Sequence, residues 1–292
     1  MIKYSIYWKT GLITFLFGFL LFANSCEDPV PTDYKEEKFV EAFLLVGEPV
    51  KNIILMRTQP VTEAFNYDSS LIRDAFVKIT DDEKEIILEF RDGKEAGYYF
   101  PDTTYLVKPE TDYKLEIICC DNTVLTGETT TPDAFNWINP PKKQIQYPKD
   151  TLELPFVDSL VFEWEGVKDI FFYMISVRCM DTLEYGRYLD PPTKELNRRI
   201  GKPFSHDHRY RELSTWTFMP NTKTPVVWNI FKWYGLQEVS IYAPDANFLN
   251  WALQYFINSN YDSRHNSIIG GIGVFGSASV VRDTSLIIKN QP

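Results

Sequence analysis

Short apolar runs, each ended by turn-forming residues, recur along residues 39–131, and no long helical period interrupts them. Asp92-Gly93 is typical of a turn, and Asp121-Asn122 is typical of a two-residue hairpin. Aromatic residues make up 15% of the chain, which favours sheet. We therefore expect residues 39–131 to form a β-sandwich. Its predicted strands are Phe39–Val46, Asn52–Thr58, Ala75–Thr80, Lys84–Phe90, Tyr113–Cys120 and Thr123–Thr130.

Prolines cluster in residues 132–155. Proline lacks the N–H group that a central strand needs, so this segment predicts a linker between two domains. Residues 156–292 would then form a second β-rich domain, with strands at Ser159–Glu165, Phe171–Met180, Glu238–Tyr242, Gly273–Val281 and Ser285–Lys289. The expected fold class is mainly β, with two β-sandwich domains similar to immunoglobulin or fibronectin type III domains.

One amphipathic helix is predicted within the second domain, over residues 245–259. Its apolar residues recur every three or four positions, and Asp245 stands where an N-cap belongs. We expect this stripe to pack on the sheet that carries Leu160, Phe162 and Trp164, because a stripe this wide is rarely left in water. The stripe consists of Phe248, Leu249, Trp251, Ala252, Tyr255 and Phe256.

The N-terminal residues resemble a bacterial lipoprotein signal. Lys3 and Lys9 precede an uncharged, mostly apolar run at residues 11–22. At about 1.5 Å per residue, this run is too short to cross roughly 30 Å of hydrocarbon, but it has the length of a signal-peptide core. Ala23-Asn24-Ser25-Cys26 resembles a lipobox, which predicts a signal peptide over residues 1–25 and a lipidated Cys26.

Residues 26–38 are polar and indicate a tether between the lipid and the fold. Glu27 and Asp28 resemble the acidic export signal of Bacteroidota lipoproteins that are displayed on the cell surface. The expected location is therefore the outer membrane, with a lipid anchor. An ordinary secreted protein that is cleaved near Cys26 is the alternative.

Gly271, Gly273 and Gly276 have the GxGxxG spacing of a dinucleotide-binding fingerprint. That fingerprint requires a glycine turn that leads from a strand into a helix. The residues after Gly276 indicate a strand instead, so we expect these glycines to permit a bulge or a close backbone approach.

Composition and motifs argue against several other functions. The formal net charge of −10 disfavours nucleic acid, whose binding depends on neutralising phosphates with basic residues. His206 and His208 could lie on one side of a strand, but with His265 as the only other histidine a solvated loop is the favoured interpretation. Because no catalytic motif stands out, we expect a non-enzymatic protein without a cofactor or a metal.

Two groups of residues are candidates for binding. Arg198, Arg199, Arg209 and Arg211 form a basic island in an acidic chain, and Trp228, Trp233 and Tyr234 form an aromatic group. The alternatives are a solvated loop for the arginines and core packing for the aromatic residues. Since loops on a rigid scaffold often carry function, we expect the irregular residues 181–225 to contain the binding site.

Several segments together resemble a family of Bacteroidota lipoproteins, the domain of unknown function 4249 family. The resemblance rests on Cys26-Glu27-Asp28-Pro29, Phe39-Val40-Glu41-Ala42, Ile53–Pro60, Tyr113–Ile117 and the segment "HNSIIGGIGVFGSASV" at His265–Val280. It implies an outer-membrane lipoprotein, often encoded beside TonB-dependent transporters, with no established activity and no catalytic residues to carry over.

These observations predict a surface-exposed outer-membrane lipoprotein that acts as a non-catalytic binding component of a TonB-dependent uptake system. Its expected partners are the membrane, through the lipid anchor, and a transporter barrel. A free-standing adhesin that binds glycans or peptides is the alternative, and a hydrolase is a third, less favoured hypothesis.

Overall fold

A computed structural model describes residues 34–93, 95–148, 160–200, 214–257 and 263–289. Within these ranges, residues 34–36 and 59–65 belong to a unit of their own, and the remaining residues form a second unit. All the β-sheets lie in the second unit. The predicted mainly β class is confirmed, whereas the likeness to immunoglobulin or fibronectin domains stays a prediction.

The elements are named in chain order. The strands are β1 (Lys38–Leu45), β2 (Ile54–Arg57), β3 (Phe76–Thr80), β4 (Glu85–Arg91), β5 (Gly97–Tyr99), β6 (Asp112–Ile118), β7 (Val124–Thr130), β8 (Trp137–Asn139), β9 (Gln144–Gln146), β10 (Phe162–Trp164), β11 (Tyr173–Cys179), β12 (Ser214–Met219), β13 (Lys223–Thr224), β14 (Gly235–Pro244), β15 (Ile268–Ile269) and β16 (Ile272–Ile288). The helices are α1 (Tyr67–Ser70) and α2 (Ala246–Ile257), with 3-10 turns at Tyr185–Tyr188, Trp228–Ile230 and Ser263–His265.

The largest sheet has seven strands and is organised around β16. Its order is β12-β11-β14-β16-β1-β2, and β9 also pairs with β16. The first part of β16 pairs with β1 in parallel, from Ile272 to Ala278, and the second part pairs with β14 in antiparallel, from Ala278 to Ile287. The two segments Gly273–Val281 and Ser285–Lys289, predicted as separate strands, are thus one continuous strand.

The first hydrophobic core lies between β1, β2 and the first part of β16 on one side and a second sheet on the other. That second sheet has the order β15-β7-β6-β3-β4-β5. Alternation places Val40, Ala42 and Leu44 of β1 on the core side, and all three are almost fully buried. They join buried residues of β3, β4, β6 and β7, together with Phe275 of β16.

The second hydrophobic core lies under the other end of the large sheet. Inward residues of β11 and β14 pack there against β10 and the turn Trp228–Ile230. Trp164 is fully buried, and its ring centroid lies 5.5 Å from that of Tyr173 in an edge-on arrangement. Ile287 of β16 completes this core, so a single strand contributes to both.

Strand pairing crosses the predicted linker at residues 132–155. β1 comes from the predicted first domain and β16 from the predicted second, and the two are neighbours in one sheet. The linker itself contains β8 and β9, and Ile145 and Tyr147 are buried in the second core. Two cores exist, but they share a sheet whose strands come from both ends of the described chain.

Asp245 caps α2 as predicted, and it also joins the helix to two sheets. Its Oδ1 accepts hydrogen bonds from the N–H groups of Phe248, at 2.8 Å, and Ser277, at 3.1 Å. Its Oδ2 accepts one from Thr129 Oγ1 of β7 at 2.5 Å. Burial raises the pKa of Asp245, and these hydrogen bonds partly oppose that effect. The start of the helix is therefore fixed to both β7 and β16.

The prediction that α2 packs on the sheet of Leu160, Phe162 and Trp164 is wrong. The helix contacts β16 and β14, and its rings meet those of β1. The helix begins directly after β14, and the last residues of β14 pair with β16, so the helix starts beside β16. Phe162 and Trp164 are buried in the second core instead. Tyr255 and Phe256 have side chains outside the described part of the structure. No described helix is long and apolar enough to cross a membrane.

The glycines of the GxGxxG segment lie where other backbone comes close. A Cβ atom at Gly273, whose φ is +127°, would lie 1.9 Å from the carbonyl oxygen of Val40. A Cβ at Gly276 would lie 2.8 Å from the backbone nitrogen of Phe248. Gly273 and Gly276 are inside β16, so this segment is a strand that admits close neighbours rather than a turn into a helix.

We expect Gly276→Ala to lower the free energy of unfolding by about 1–3 kcal/mol, because the added methyl group forces α2 away from β16. Gly166→Ala is the matched control, since its Cβ would meet nothing closer than Thr222 Cγ2 at 3.6 Å. The control should change stability by less than about 0.5 kcal/mol. Urea unfolding followed by circular dichroism measures both, and equal losses would contradict the close-approach interpretation.

Candidate functional site

The outer face of the large sheet carries a cleft with a volume of about 520 Å³, which we call the aromatic cleft. This face is opposite to the hydrophobic cores. Strands β1, β2, β11, β12 and β14 form its floor and sides, and helix α2 closes one side. The lining residues are Glu41, Phe43, Leu45, Glu48, Pro49, Lys51, Asn52, Ile54, Met174, Trp216, Tyr242, Phe248, Trp251 and Ala252.

One wall of the aromatic cleft is formed by aromatic residues of α2 and β1 that pack against each other. The ring of Phe248 stacks on that of Phe43, with 4.2 Å between centroids and 30° between planes. Trp251 lies one turn further along and meets Phe39 at 5.9 Å. Gly276 pairs with Phe43 in the sheet and admits the helix backbone above it. The glycine segment and the Asp245 cap thus fix the position of this wall.

The opposite wall of the cleft is formed by residues of β12 and β14, which lie beyond β16 from β1 in the same sheet. Trp216 of β12 and Tyr242 of β14 have ring centroids 5.1 Å apart, with 41° between their planes. Both rings are only partly buried. The guanidinium of Arg282 lies 5.8 Å from the ring centroid of Tyr242 and forms an ion pair with Glu48. This wall therefore presents aromatic surface together with fixed charges, a composition suited to binding.

Glu41 is the charged group on the floor of the aromatic cleft. It alternates with Phe39 and Phe43 on the outer face of β1, and it pairs with Ile54 across to β2. Burial raises the pKa of its carboxyl group above the ordinary value of 4.5. The negative charge of Glu41 in turn contributes to the raised pKa of the nearby Tyr67, where burial is the larger cause. Glu41 makes no ion pair among the described residues.

A second, polar cleft of about 750 Å³ lies where β6 and β7 meet the start of α2. Its lining mixes acidic residues such as Glu110, Asp112 and Asp133 with Lys114 and Lys168. Across the described ranges, no three His, Cys, Asp or Glu side chains are arranged to hold a metal ion. The carboxylate of Asp245, which also lines this cleft, is already engaged in hydrogen bonds with Thr129, Phe248 and Ser277.

The structure brings together two groups that the sequence presents as separate candidates. The N–H group of Tyr234 donates to the carbonyl of Arg198 at 3.3 Å, and that of Ile200 donates to Lys232 at 2.8 Å. Arg199 and Trp233 form an isolated β-bridge. Arg198 is exposed and Arg199 is partly buried. One backbone ladder thus carries Arg198 and Arg199 from the first group and Trp233 and Tyr234 from the second, and none of these four residues lines the aromatic cleft.

Two of the aromatic candidates contribute to the second core. Trp228 is 9% exposed and contacts Tyr147, with 5.4 Å between ring centroids. Tyr234 packs against the same core beside Tyr147 and Tyr185. The alternative of core packing therefore describes these two rings. Trp233 is partly exposed. Cys26, Glu27, Asp28, Arg209 and Arg211 lie outside the described residues.

The sequence pattern does not identify the residues of the aromatic cleft as binding residues. Trp216 falls in the stretch predicted to be irregular, where the structure has strand β12. The signal that was available is the pattern of β1, in which Phe39 and Phe43 alternate with Val40, Ala42 and Leu44. A strand with apolar residues on both faces indicates that both faces are covered. Here one face meets the core, and the other meets α2 and the cleft.

The fold and the site define a mainly β protein with two cores, one shared sheet and an open aromatic cleft. Residues 27–202 match the family model described as "Domain of unknown function (DUF4249)", and the chain belongs to this family. The matched range contains β1 to β11 but not Trp216, α2 or the glycine segment. The likeness of His265–Val280 to the end of the family pattern therefore stays a prediction. No curated protein matches the chain.

We expect Glu41→Gln to stabilise the protein near neutral pH, because it removes a charge that burial disfavours. The raised pKa of Glu41 means that wild-type stability falls as the pH rises from 4.5 through the pKa of the folded state. The stability gain of Glu41→Gln should thus be small below pH 4.5 and grow toward pH 7. Urea unfolding across this range tests it. Glu89→Gln, on an exposed site of β4, is the control and should show no such trend.

Proposed function

We propose that the protein is an outer-membrane lipoprotein of the Bacteroidota type that binds its ligand in the aromatic cleft without catalysing a reaction. The observation that carries this proposal is the cleft itself, in which partly exposed rings from β1, β12, β14 and α2 surround a space of about 520 Å³. Open aromatic surface of this kind is costly in water and is typical of a binding site.

The membrane anchor in this proposal rests on the N-terminal sequence. The apolar run at residues 11–22 ends just before Ala23-Asn24-Ser25-Cys26, and Glu27 and Asp28 follow at once. A cysteine that carries two or three acyl chains is held firmly in a membrane, since each buried CH₂ contributes about 0.8 kcal/mol. Strand β1 begins at Lys38, so the polar residues 26–37 lie between the anchor and the sheet. This order favours display of the cleft outside the membrane.

The place of the protein in a TonB-dependent uptake system is the next part of the proposal, and it follows from the family. In this role the aromatic cleft would present ligand to a transporter barrel. The exposed Arg198, on its ladder with Trp233, is the candidate surface for that barrel. The ladder is held in place by its neighbour Asn197, which is buried and donates hydrogen bonds to the carbonyls of Asp181 and Tyr234.

A free-standing adhesin is the second candidate function, and the aromatic cleft favours it equally. Aromatic rings can stack on sugars or anchor peptides, whether or not a transporter is present. The two functions differ in their partners. Affinity purification of the tagged protein from native outer membranes separates them, since only the uptake component should bring a transporter barrel with it.

We expect Trp216→Ala to abolish binding of whatever ligand the full-length protein captures on glycan and peptide arrays. Removing a ring from the cleft wall removes contact area at the site, while a partly exposed residue contributes less to folding. Phe171→Ala is the matched control, because Phe171 is 75% exposed and does not line the cleft. If every captured ligand binds Trp216→Ala as well as wild type, the cleft is not the binding site.

We expect Cys26→Ala to lose incorporation of labelled palmitate and to leave the outer-membrane fraction. Its purified form should then bring down no transporter barrel, because it is no longer held beside one. Cys120→Ala, at an exposed cysteine within the fold, should keep both the label and the location. A Cys26→Ala protein that still carries palmitate and fractionates with outer membranes would refute the anchor at this residue.

A further inference from the structure

The two carboxylates that line the aromatic cleft, those of Glu48 and Glu41, differ in their ion pairs. Glu48 at the rim has two partners, Lys51 at 3.1 Å and Arg282. Glu41 on the floor is also partly buried, but it forms no ion pair with any described residue. Burying a charge without a partner is unfavourable, and proteins usually avoid it or use it at a functional site.

The neighbours of Glu41 within the sheet are apolar, and Tyr67 also lies near it. Its neighbours on the same face of β1 are Phe39 and Phe43, and Ile54 lies opposite it on β2. Phe248 and Trp251 of α2 cover those two rings. The faces of aromatic rings are electron-rich and attract cations, most strongly when water is excluded. Rings and carboxylate together therefore favour a positive group at this position.

The rim of the cleft already contains an arrangement of this kind within the chain. The guanidinium of Arg282 lies over the ring of Tyr242 and forms its ion pair with Glu48. One carboxylate and one ring thus hold one cation there. On the floor, the carboxylate and the rings are present, and no described residue places a cation on them. Lys51 also lines the cleft, but it is paired with Glu48.

We propose that the aromatic cleft binds a peptide through the cationic side chain of a lysine or arginine, with Glu41 as the counter-charge. This inference rests on the proposed function, since it names the ligand of the same cleft. A neutral sugar could stack on the rings, but it would leave the charge of Glu41 unmatched. The formal net charge of −10 also attracts cationic peptides and repels acidic ones.

The test uses the full-length protein in detergent and four blocked pentapeptides that differ only in the central residue. That residue is lysine, arginine, ε-acetyl-lysine or norleucine, so length and apolar stem are matched while the charge is removed. We expect the two cationic peptides to bind at least tenfold more tightly than the two neutral ones by calorimetry. Glu41→Gln should remove this preference, and Glu89→Gln should retain it.

The outcomes separate this inference from the proposed function. Equal binding of charged and neutral peptides, or no binding of the cationic pair at millimolar concentration, overturns the inference. A neutral oligosaccharide that binds wild type and Glu41→Gln alike but not Trp216→Ala would overturn it too, while still supporting ligand binding in the cleft. Urea unfolding of Glu41→Gln checks that a loss of preference is not a loss of fold. Trp216→Ala should also weaken the binding of the cationic peptides.

Discussion

The backbone of β16 is the constraint on which the rest of the described structure depends. This strand pairs with β1 along its first part and with β14 along its second part, and it contributes buried residues to both hydrophobic cores. Val40 and Phe248 approach it so closely that Gly273 and Gly276 admit no side chain. The GxGxxG spacing is thus explained by packing, because β1 lies against β16 at Gly273 and α2 lies against it at Gly276.

The helix wall of the aromatic cleft is held by polar as well as apolar contacts. Asp245 receives hydrogen bonds from α2, β7 and β16, and Ser277 Oγ lies 2.9 Å from Thr129 Oγ1 in the same buried group. Moving the helix would leave these desolvated groups unsatisfied, which costs about 1–3 kcal/mol for each. The rings of Phe248 and Trp251 are therefore held in place before any ligand arrives, and such preorganisation favours binding.

Local features of the fold could be predicted from the sequence, and distant pairings could not. Alternation located β1, β3, β4, β6 and β7 to within a few residues, and Asp245 together with the apolar stripe located α2. These features depend on side chains close together in the sequence. The parallel pairing of β1 with β16 depends on residues at opposite ends of the described chain, and no local pattern encodes it. Sequence patterns do not reveal the aromatic cleft for the same reason, because Phe43, Trp216 and Trp251 come to line one cleft only in the folded sheet.

The parallel pairing of β1 with β16 has a consequence for how the protein folds. Neither hydrophobic core is complete without β16, so both cores can be completed only after this last described strand has been synthesised. Contacts between such distant segments carry a high loop-closure entropy and slow folding. Until then β1 and β2 expose an unpaired edge together with Phe39 and Phe43, which invites aggregation. A chain of this topology therefore gains from a chaperone that shields its early strands until β16 is available.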